Sequence, residues 1–483
     1  MSTTDSANGS TTDTDDDARH LEHTAALGTR PVGRLLWHAC SQTTLSVGIY
    51  GIYALTNAWF VARGVGATAM AAVNLVAPLL LALGAVSTAL GVGAASVVSR
   101  NLGAGDTAGA ARTTGNAFTV FWAAAITTTV VGLTALDPLL RLLGAHGQTL
   151  GYAHDYAVII LAGAIVSTGF SSLVRAEGRM RFSTMLWVVP VLVQITLDPL
   201  FIFGLDLGVR GAALGTVCGQ AVSAGMSMWF FFVQRRRPYR IGARDLRPHP
   251  RTIGTVLGVG APSFLAGFGA TLLAVVVNTT LSAAGGATAL AAFAICARIQ
   301  TFVAMPQLGI SQGMQPIVGY NAGRRLLERV ERARALSLRA TLVYSTLAAG
   351  AVALLAGPLA GIFVDEPAVQ DAAATALRIV AIGLAAGGVT PLVSAYFQAL
   401  GHPRPSYLLS LGTLLVLKVP LVLILGHALD TTGVWVAIAA GEVLSATAAA
   451  LVLRRAGRAT ARPPRPRPAR GPEAATTGAR PGR

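Results

Sequence analysis

An all-α polytopic membrane protein, with twelve transmembrane helices in two six-helix lobes related by a pseudo-two-fold axis along the membrane normal, is the fold this sequence predicts. Three observations carry it. Of the 483 residues, 53% are hydrophobic and only 12% charged, with a mean hydropathy of +0.60, whereas a soluble chain of this length needs a more charged surface. Apolar runs of the roughly 20 residues that cross a bilayer core fill the chain from residue 36 to residue 453. Finally, GATAMAAV at 66–73 returns as GATALAAF at 286–293.

The first six runs fall near 36–59, 68–99, 111–135, 152–174, 183–204 and 209–234. The second six fall near 254–283, 287–318, 335–363, 368–399, 405–426 and 431–453. The longest must tilt or extend beyond the bilayer. The octapeptide recurs at an offset of 220 residues, and the same offset aligns SVVSRNLGAG (96–105) with PIVGYNAGRR (316–325), pairing Val98 with Val318, Asn101 with Asn321 and Gly103 with Gly323. RAEGRMRFS (175–183) then faces QALGHPRPS (398–406), and DPLFIFG (198–204) faces VPLVLILG (419–426). One repeat therefore holds six spans. An even number brings both copies into the membrane from the same side, as parallel repeats that enclose a cleft and rock about it. The small residues of the repeated motifs let helices approach closely at equivalent places in both lobes.

The net charge of +16 is distributed by topology. Arginines crowd alternate loops: Arg100 and Arg112, then Arg175, Arg179 and Arg181, then seven between 235 and 251, then five between 324 and 334. Intervening loops carry few, such as Arg63, Arg141 and Arg210. This is the positive-inside pattern, which places the arginine-rich loops and both termini in the cytoplasm of a multi-pass protein of the cell inner membrane. Topology thus accounts for the basic clusters, and no nucleic-acid partner is expected.

The reading divides the chain into an acidic disordered tail (1–33, with Asp13, Asp15, Asp16 and Asp17), a six-helix lobe (34–234), a basic inter-lobe linker (235–253), a second lobe (254–455) and a Pro/Arg-rich disordered tail (456–483). The last contains RPPRPRPAR, which cannot bury a core but can meet anionic membrane lipid. Cys40, Cys218 and Cys296 lie in apolar runs without metal-ligand spacing and read as packing residues. There is no HExxH, paired intramembrane aspartate or phosphate-binding GxxxxGK[ST]. Neither an intramembrane enzyme nor ATP drive has its residues, and no cofactor is expected.

Ionisable residues deep in a span cost several kcal/mol and point to function. Asp198 stands in the fifth run, with Gln194 one turn earlier on the same face. Pro199 removes a backbone donor and frees the Ile195 carbonyl for a cation or water. Lys418, the chain's one lysine, has Glu442 in the next run as its counter-ion and reads as a charge partner or gate. Gln300, Gln307, Gln312 and Gln315, with Met305 and Met314, suit a polar, deformable substrate cleft, to which Gln42, Lys418 and Glu442 are also assigned.

NAWFVARGVGATAMAAV (57–73), VVSRNLGAGD (97–106), LDPLFIFGLDLGVRGAALGTV (197–217) and QGMQPIVGYNAG (312–323) together resemble the multidrug and toxic compound extrusion (MATE) family of bacterial type, over about residues 34–455. The resemblance implies a secondary antiporter that exports bulky organic cations or amphipathic drugs by alternating access, driven by inward H+ or Na+. It also implies that Asp198 acts as the cation-coupling acid with Gln194, where relatives carry asparagine, and with Thr216 in the next span. A second carboxylate of the pattern is replaced by Asn57, while Tyr53 is retained. Asn57 keeps hydrogen-bonding capacity but loses a negative charge, so a dehydrated Na+ is less well neutralised at Asp198 and H+ is the favoured ion. Gln42 stands where many relatives have proline, putting in doubt any mechanism that bends the first helix. Lipid-linked oligosaccharide flippases share the two-lobe plan but imply a strongly cationic cleft; a degenerate relative without coupled transport is the other alternative. The expected oligomeric state is a monomer.

Overall fold

The computed structural model describes residues 24–166, 170–234 and 237–460, and every regular element among them is helical. The first six spans are α1 (Val32–Gly64), α2 (Ala67–Ala104), α3 (Thr107–Thr134), α4 (Gly147–Ala162, extended by a tight turn Gly163–Val166 and by Ser171–Ala176), α5 (Met180–Pro199, widening into a π turn at Leu200–Gly204) and α6 (Gly208–Met228, widening at Trp229–Val233). In the second half, α7 (250–285) and α8 (287–323) run into each other through Gly286, whose φ of 59° and ψ of −145° break the helix where only glycine is unstrained. α9 is Leu327–Leu354, and α10 is Pro367–Gly387 continued by Val389–Ala399 across Gly388. α11 (403–428) contains wide π turns at Leu408–Lys418, and α12 (431–460) follows a second break at Leu429 and Asp430.

Eight helical stretches are long and apolar enough to cross a membrane. Two of them hold a pair of spans each, divided at Gly286 and at Leu429–Asp430. With α1 and α2 they make the twelve-helix plan. The largest departure from hydropathy is in one span: the run expected at 335–363 begins eight residues earlier, at Leu327, and its helix stops at Leu354 before a separate short helix, Ala356–Gly361. Hydropathy marks apolar stretches rather than helix ends. The polar first turns of α9 are helical because they lie in water, where Glu331 and Arg334 pair one turn apart.

Three hydrophobic cores divide the molecule. One contains Val61, Ala72, Leu140, Tyr156 and Ile202, all of the first lobe. Another contains Leu281, Cys296, Val352, Leu377 and Trp435, all of the second. Both lie towards the arginine-poor ends of their helices. The third joins the lobes, with Ala39, Val98 and Phe118 of the first packed with Met314, Val318 and Tyr396 of the second. It sits on the arginine-rich side. The lobes therefore meet on that side and are separately packed on the other, as a V.

The repeat explains the seam. Gly103 and Gly323, matched by the internal offset, face each other's helix across it: a Cβ on Gly103 would stand 2.0 Å from the Tyr320 carbonyl, and one on Gly323 would stand 2.1 Å from that of Arg100. Backbone meets backbone where no side chain intervenes.

Two expectations about the ends of the lobes are corrected. Residues 24–33, assigned to a disordered tail, are ordered: 24–29 form a short helix whose Leu27 is buried in the shared core. Thr24 donates to the Glu177 carbonyl of the first lobe at 2.9 Å, while Asn321 of the second donates to the Leu27 carbonyl at 2.9 Å and Arg329 to that of Arg30 at 2.6 Å. Six apolar or small residues, TAALG and its neighbours, are enough to fill the groove under the seam. The helix α12 likewise runs on to Thr460, into the tail assigned to 456–483. Residues 1–23 and 461–483 lie outside the described residues. The linker 235–253 is docked where it is described: Asn116 of α3 donates to the carbonyls of Asp245 and Arg247 and accepts from the His249 amide, and Thr119 donates to that of Leu246.

Candidate cation-coupling site

Asp198 comes to rest inside the first lobe, where its residue is 1% exposed. Its neighbours come from three helices. Asn57 of α1 donates its amide to Asp198 Oδ2 at 3.2 Å. Thr216 of α6 gives its proton to the Ala212 carbonyl one turn back at 3.0 Å, and its oxygen faces Gln194 Nε2 at 2.8 Å and the Tyr53 hydroxyl at 3.3 Å. Asp198 with Asn57, and Thr216 with Gln194 and Tyr53, thus form two bonded sets side by side between α1, α5 and α6. α5 approaches α6 this closely because position 215 is glycine: a Cβ there would lie 2.0 Å from Asp198 Oδ1.

That oxygen is the chemical focus of the site. Asp198 Oδ1 is buried and has no hydrogen-bond partner among the described residues. A buried carboxylate oxygen left bare costs roughly 1–3 kcal/mol or more, and a proton or a cation on it removes that cost. A proton needs only Oδ1 itself, whereas a metal cation needs several oxygens, which the carbonyls of the Asn57 and Gln194 amides and the hydroxyls of Thr216 and Tyr53 offer nearby.

The residues assigned to the cleft disperse. Lys418 and Glu442 do meet, Nζ to Oε1 at 2.5 Å. Gln312 reaches the first lobe and accepts from Arg175 at 3.1 Å. Met305 touches Gly51 of α1, and Gln300 and Gln42 are half-buried. Met314, however, is fully buried in the shared core, Gln315 is buried beside it, and Gln307 turns into its own lobe to donate to Ser345 at 2.8 Å. In the conformation with the arginine-rich side closed all three are packed away, Met314 and Gln315 under the seam and Gln307 inside its own lobe.

Sequence reasoning missed the buried charges of that side. Arg175, read as a loop cation, is buried, with Ser172 and Ser183 as acceptors besides Gln312. Glu177 and Arg237 form an ion pair with side chains 0% and 1% exposed. The Arg237 guanidinium also lies 4.5 Å from the Phe231 ring and 4.6 Å from that of Tyr239. Burial opposes the charge on Arg237, yet Glu177 beside it holds the guanidinium above its usual range; burial, reinforced by Glu177, pushes the Tyr239 phenol well above its own. The one sequence signal was aromatic FFF at 230–232 just before RRR at 235–237.

A helical membrane protein of two matched lobes, each separately packed around one shared seam, with a lone acid sealed in one of them, has the build of a repeat-based transporter. The chain matches the MatE family profile over residues 43–200 and 262–424, and it belongs to that family, the MATE transporters. It is 26% identical over 432 residues to the multidrug export protein MepA of Staphylococcus aureus (strain N315), covering 88% of this chain and 94% of that one. It is 24% identical over 399 residues to the FAD transporter of Shewanella oneidensis, covering 81% and 87%. Among solved structures it resembles a multidrug resistance MATE family transporter of the MOP superfamily in an outward-facing conformation, with a TM-score of 0.84 at 26% identity over 90% of this chain and 98% of that one.

Proposed function

We propose that this protein is a secondary antiporter that exports organic cations or amphipathic drugs across the cell membrane by alternating access, with inward H+ as the driving ion. The observation that carries the reading is Asp198 Oδ1, buried and unpartnered beside amide donors. A carboxylate so placed holds a proton when sealed and releases it when the lobe is hydrated. The kinship with a multidrug export protein supports the cargo class. On this reading the arginine-rich side and both ends of the chain are cytoplasmic, so the V opens outwards: Asp198 takes a proton from outside, the lobes tilt, and cargo leaves as the cycle reverses. The protein works as a monomer, since each chain carries both lobes and its own acid, and its surroundings are membrane lipid without nucleic acid.

The test is efflux of a fluorescent cation in cells lacking their own pumps, followed by vesicles in which pH and Na+ gradients are imposed separately. Wild type exports under an inward H+ gradient and Asp198→Asn does not. Equal efflux by the two proteins would remove Asp198 from the mechanism; export driven by Na+ alone would replace the ion.

A further inference from the structure

The second lobe holds a region equivalent to the Asp198 site, and an ion pair stands there, its lysine one residue before the position that matches Asp198. Asp198-Pro199 on α5 recurs as Val419-Pro420 on α11, and Gly215-Thr216-Val217 on α6 recurs as Gly441-Glu442-Val443 on α12. The geometry agrees with the pairing. A Cβ on Gly215 would meet Asp198, and a Cβ on Gly441 would meet Lys418 Cγ at 3.2 Å. In the first lobe an acid on the fifth helix packs against Gly215 of the sixth, the residue before the Thr216 hydroxyl. In the second the acid is on the sixth helix of the lobe, and the fifth supplies an ammonium.

The pair is not a sealed one. The Lys418 and Glu442 side chains are 20% and 28% exposed, and the direction of that exposure is fixed by the helix. On α12 the residues sharing the Glu442 face, Trp435, Ser445 and Ala449, are buried, while Val443 and Leu444 are exposed on the opposite face. The opening is therefore into the lobe, not to lipid. A Cβ on Gly387 of α10 would stand 3.9 Å from Glu442 Oε2, and one on the next residue, Gly388, would meet Gln307 and Thr341, a fully buried residue whose hydroxyl has no partner among the described residues. A polar interior thus surrounds an ion pair that replacement by apolar side chains would make cheaper to hold in a membrane.

We propose that Glu442 is a binding site for the cationic group of cargo and that Lys418 is its resident occupant. The lysine is a compact ammonium on a flexible four-carbon stem. It neutralises Glu442 while the lobe is empty and swings aside when an organic cation enters, so the lobe never carries a bare buried carboxylate. This assignment rests on the export reading for its cargo class, but it makes a prediction about binding that does not need transport.

The experiment is equilibrium binding of ethidium, a permanent organic cation, to purified protein by fluorescence anisotropy, with neutral N-phenyl-1-naphthylamine as control. Glu442→Gln should weaken ethidium binding about tenfold, and Lys418→Met, by removing the competitor, should tighten it about threefold or more. The neutral probe should bind all variants alike. The double variant, which carries no unbalanced charge, should bind ethidium as weakly as Glu442→Gln. A structural ion pair would make both single variants weaker for both probes, and that pattern would overturn the proposal. So would wild-type ethidium affinity in the double variant, which also decides the matter if a single variant does not fold. Failure of wild type to export ethidium while binding follows the predicted pattern would refute the export reading and leave the site intact.

Discussion

At Asp198 the useful quantity is the difference between its two oxygens. Oδ2 has the Asn57 amide and Oδ1 has nothing, so chemistry at this acid is chemistry at Oδ1. Asn57→Asp would set a second carboxylate against Oδ2 in place of a donor, a like-charge contact that a metal ion can bridge. Efflux by that variant should become Na+-dependent in vesicles, with loss of the response to a pH gradient alone. Gly215→Ala is a steric counterpart: its methyl group would occupy the space of Oδ1, and efflux should fall to the level of Asp198→Asn while the protein still reaches the membrane. Half of this site could be read in the sequence. Gln194 and Asp198 share a face by spacing, whereas Asn57, Tyr53 and Thr216 were placed by resemblance, because no local pattern says that α1 and α6 converge on α5. The bare oxygen was invisible, since it depends on where three helices stop short of one another.

Among the elements, the linker between the lobes shows how much of the arginine content is structural. Arg237 is held by Glu177 inside an aromatic cage, and α3 binds the linker backbone through Asn116. Removing one partner of such a buried pair leaves the other uncompensated, at a cost of about 3–5 kcal/mol. Arg237→Ala should therefore lower the thermal midpoint in detergent sharply, and Glu177→Gln with Arg237→Met should recover most of the loss. Alternation of arginine-rich loops is what the sequence conveys, and the expected sidedness rests on it. It could not separate a solvated arginine such as Arg112 from a buried one such as Arg175, because both sit near helix ends and only tertiary packing differs. For the same reason the helix starts of α7 and α9 fell earlier than hydropathy placed them.

Across the whole molecule, the twelve spans and their repeat were legible because bilayer thickness fixes run length and because matched lobes leave an offset in the sequence. Which side is closed was not legible, since one sequence serves both conformations. The short helix at 24–29 ties the closed side together by bonding to Glu177 of one lobe and to residues of the other. Deleting residues 1–30 should let the seam part more often. Cys40 reports it: its thiol faces the Ile310 carbonyl across the seam at 3.7 Å, so a permeant maleimide should label it several-fold faster in the truncated protein, with Cys218 and Cys296 replaced by serine. Unchanged labelling would show that the short helix follows the lobes without restraining them.

The partition into three cores has a mechanical consequence. In the proposed cycle, a tilt of one half against the other leaves two of the three oily interiors untouched, so the work falls on the shared seam, where backbone meets backbone at positions such as Gly103 and Gly323 and side chains such as Met314 and Tyr396 part from the first lobe. At the glycine contacts, helices slide and part with little rotamer rearrangement. Two rigid jaws with one smooth gasket can reopen many times without either jaw having to soften.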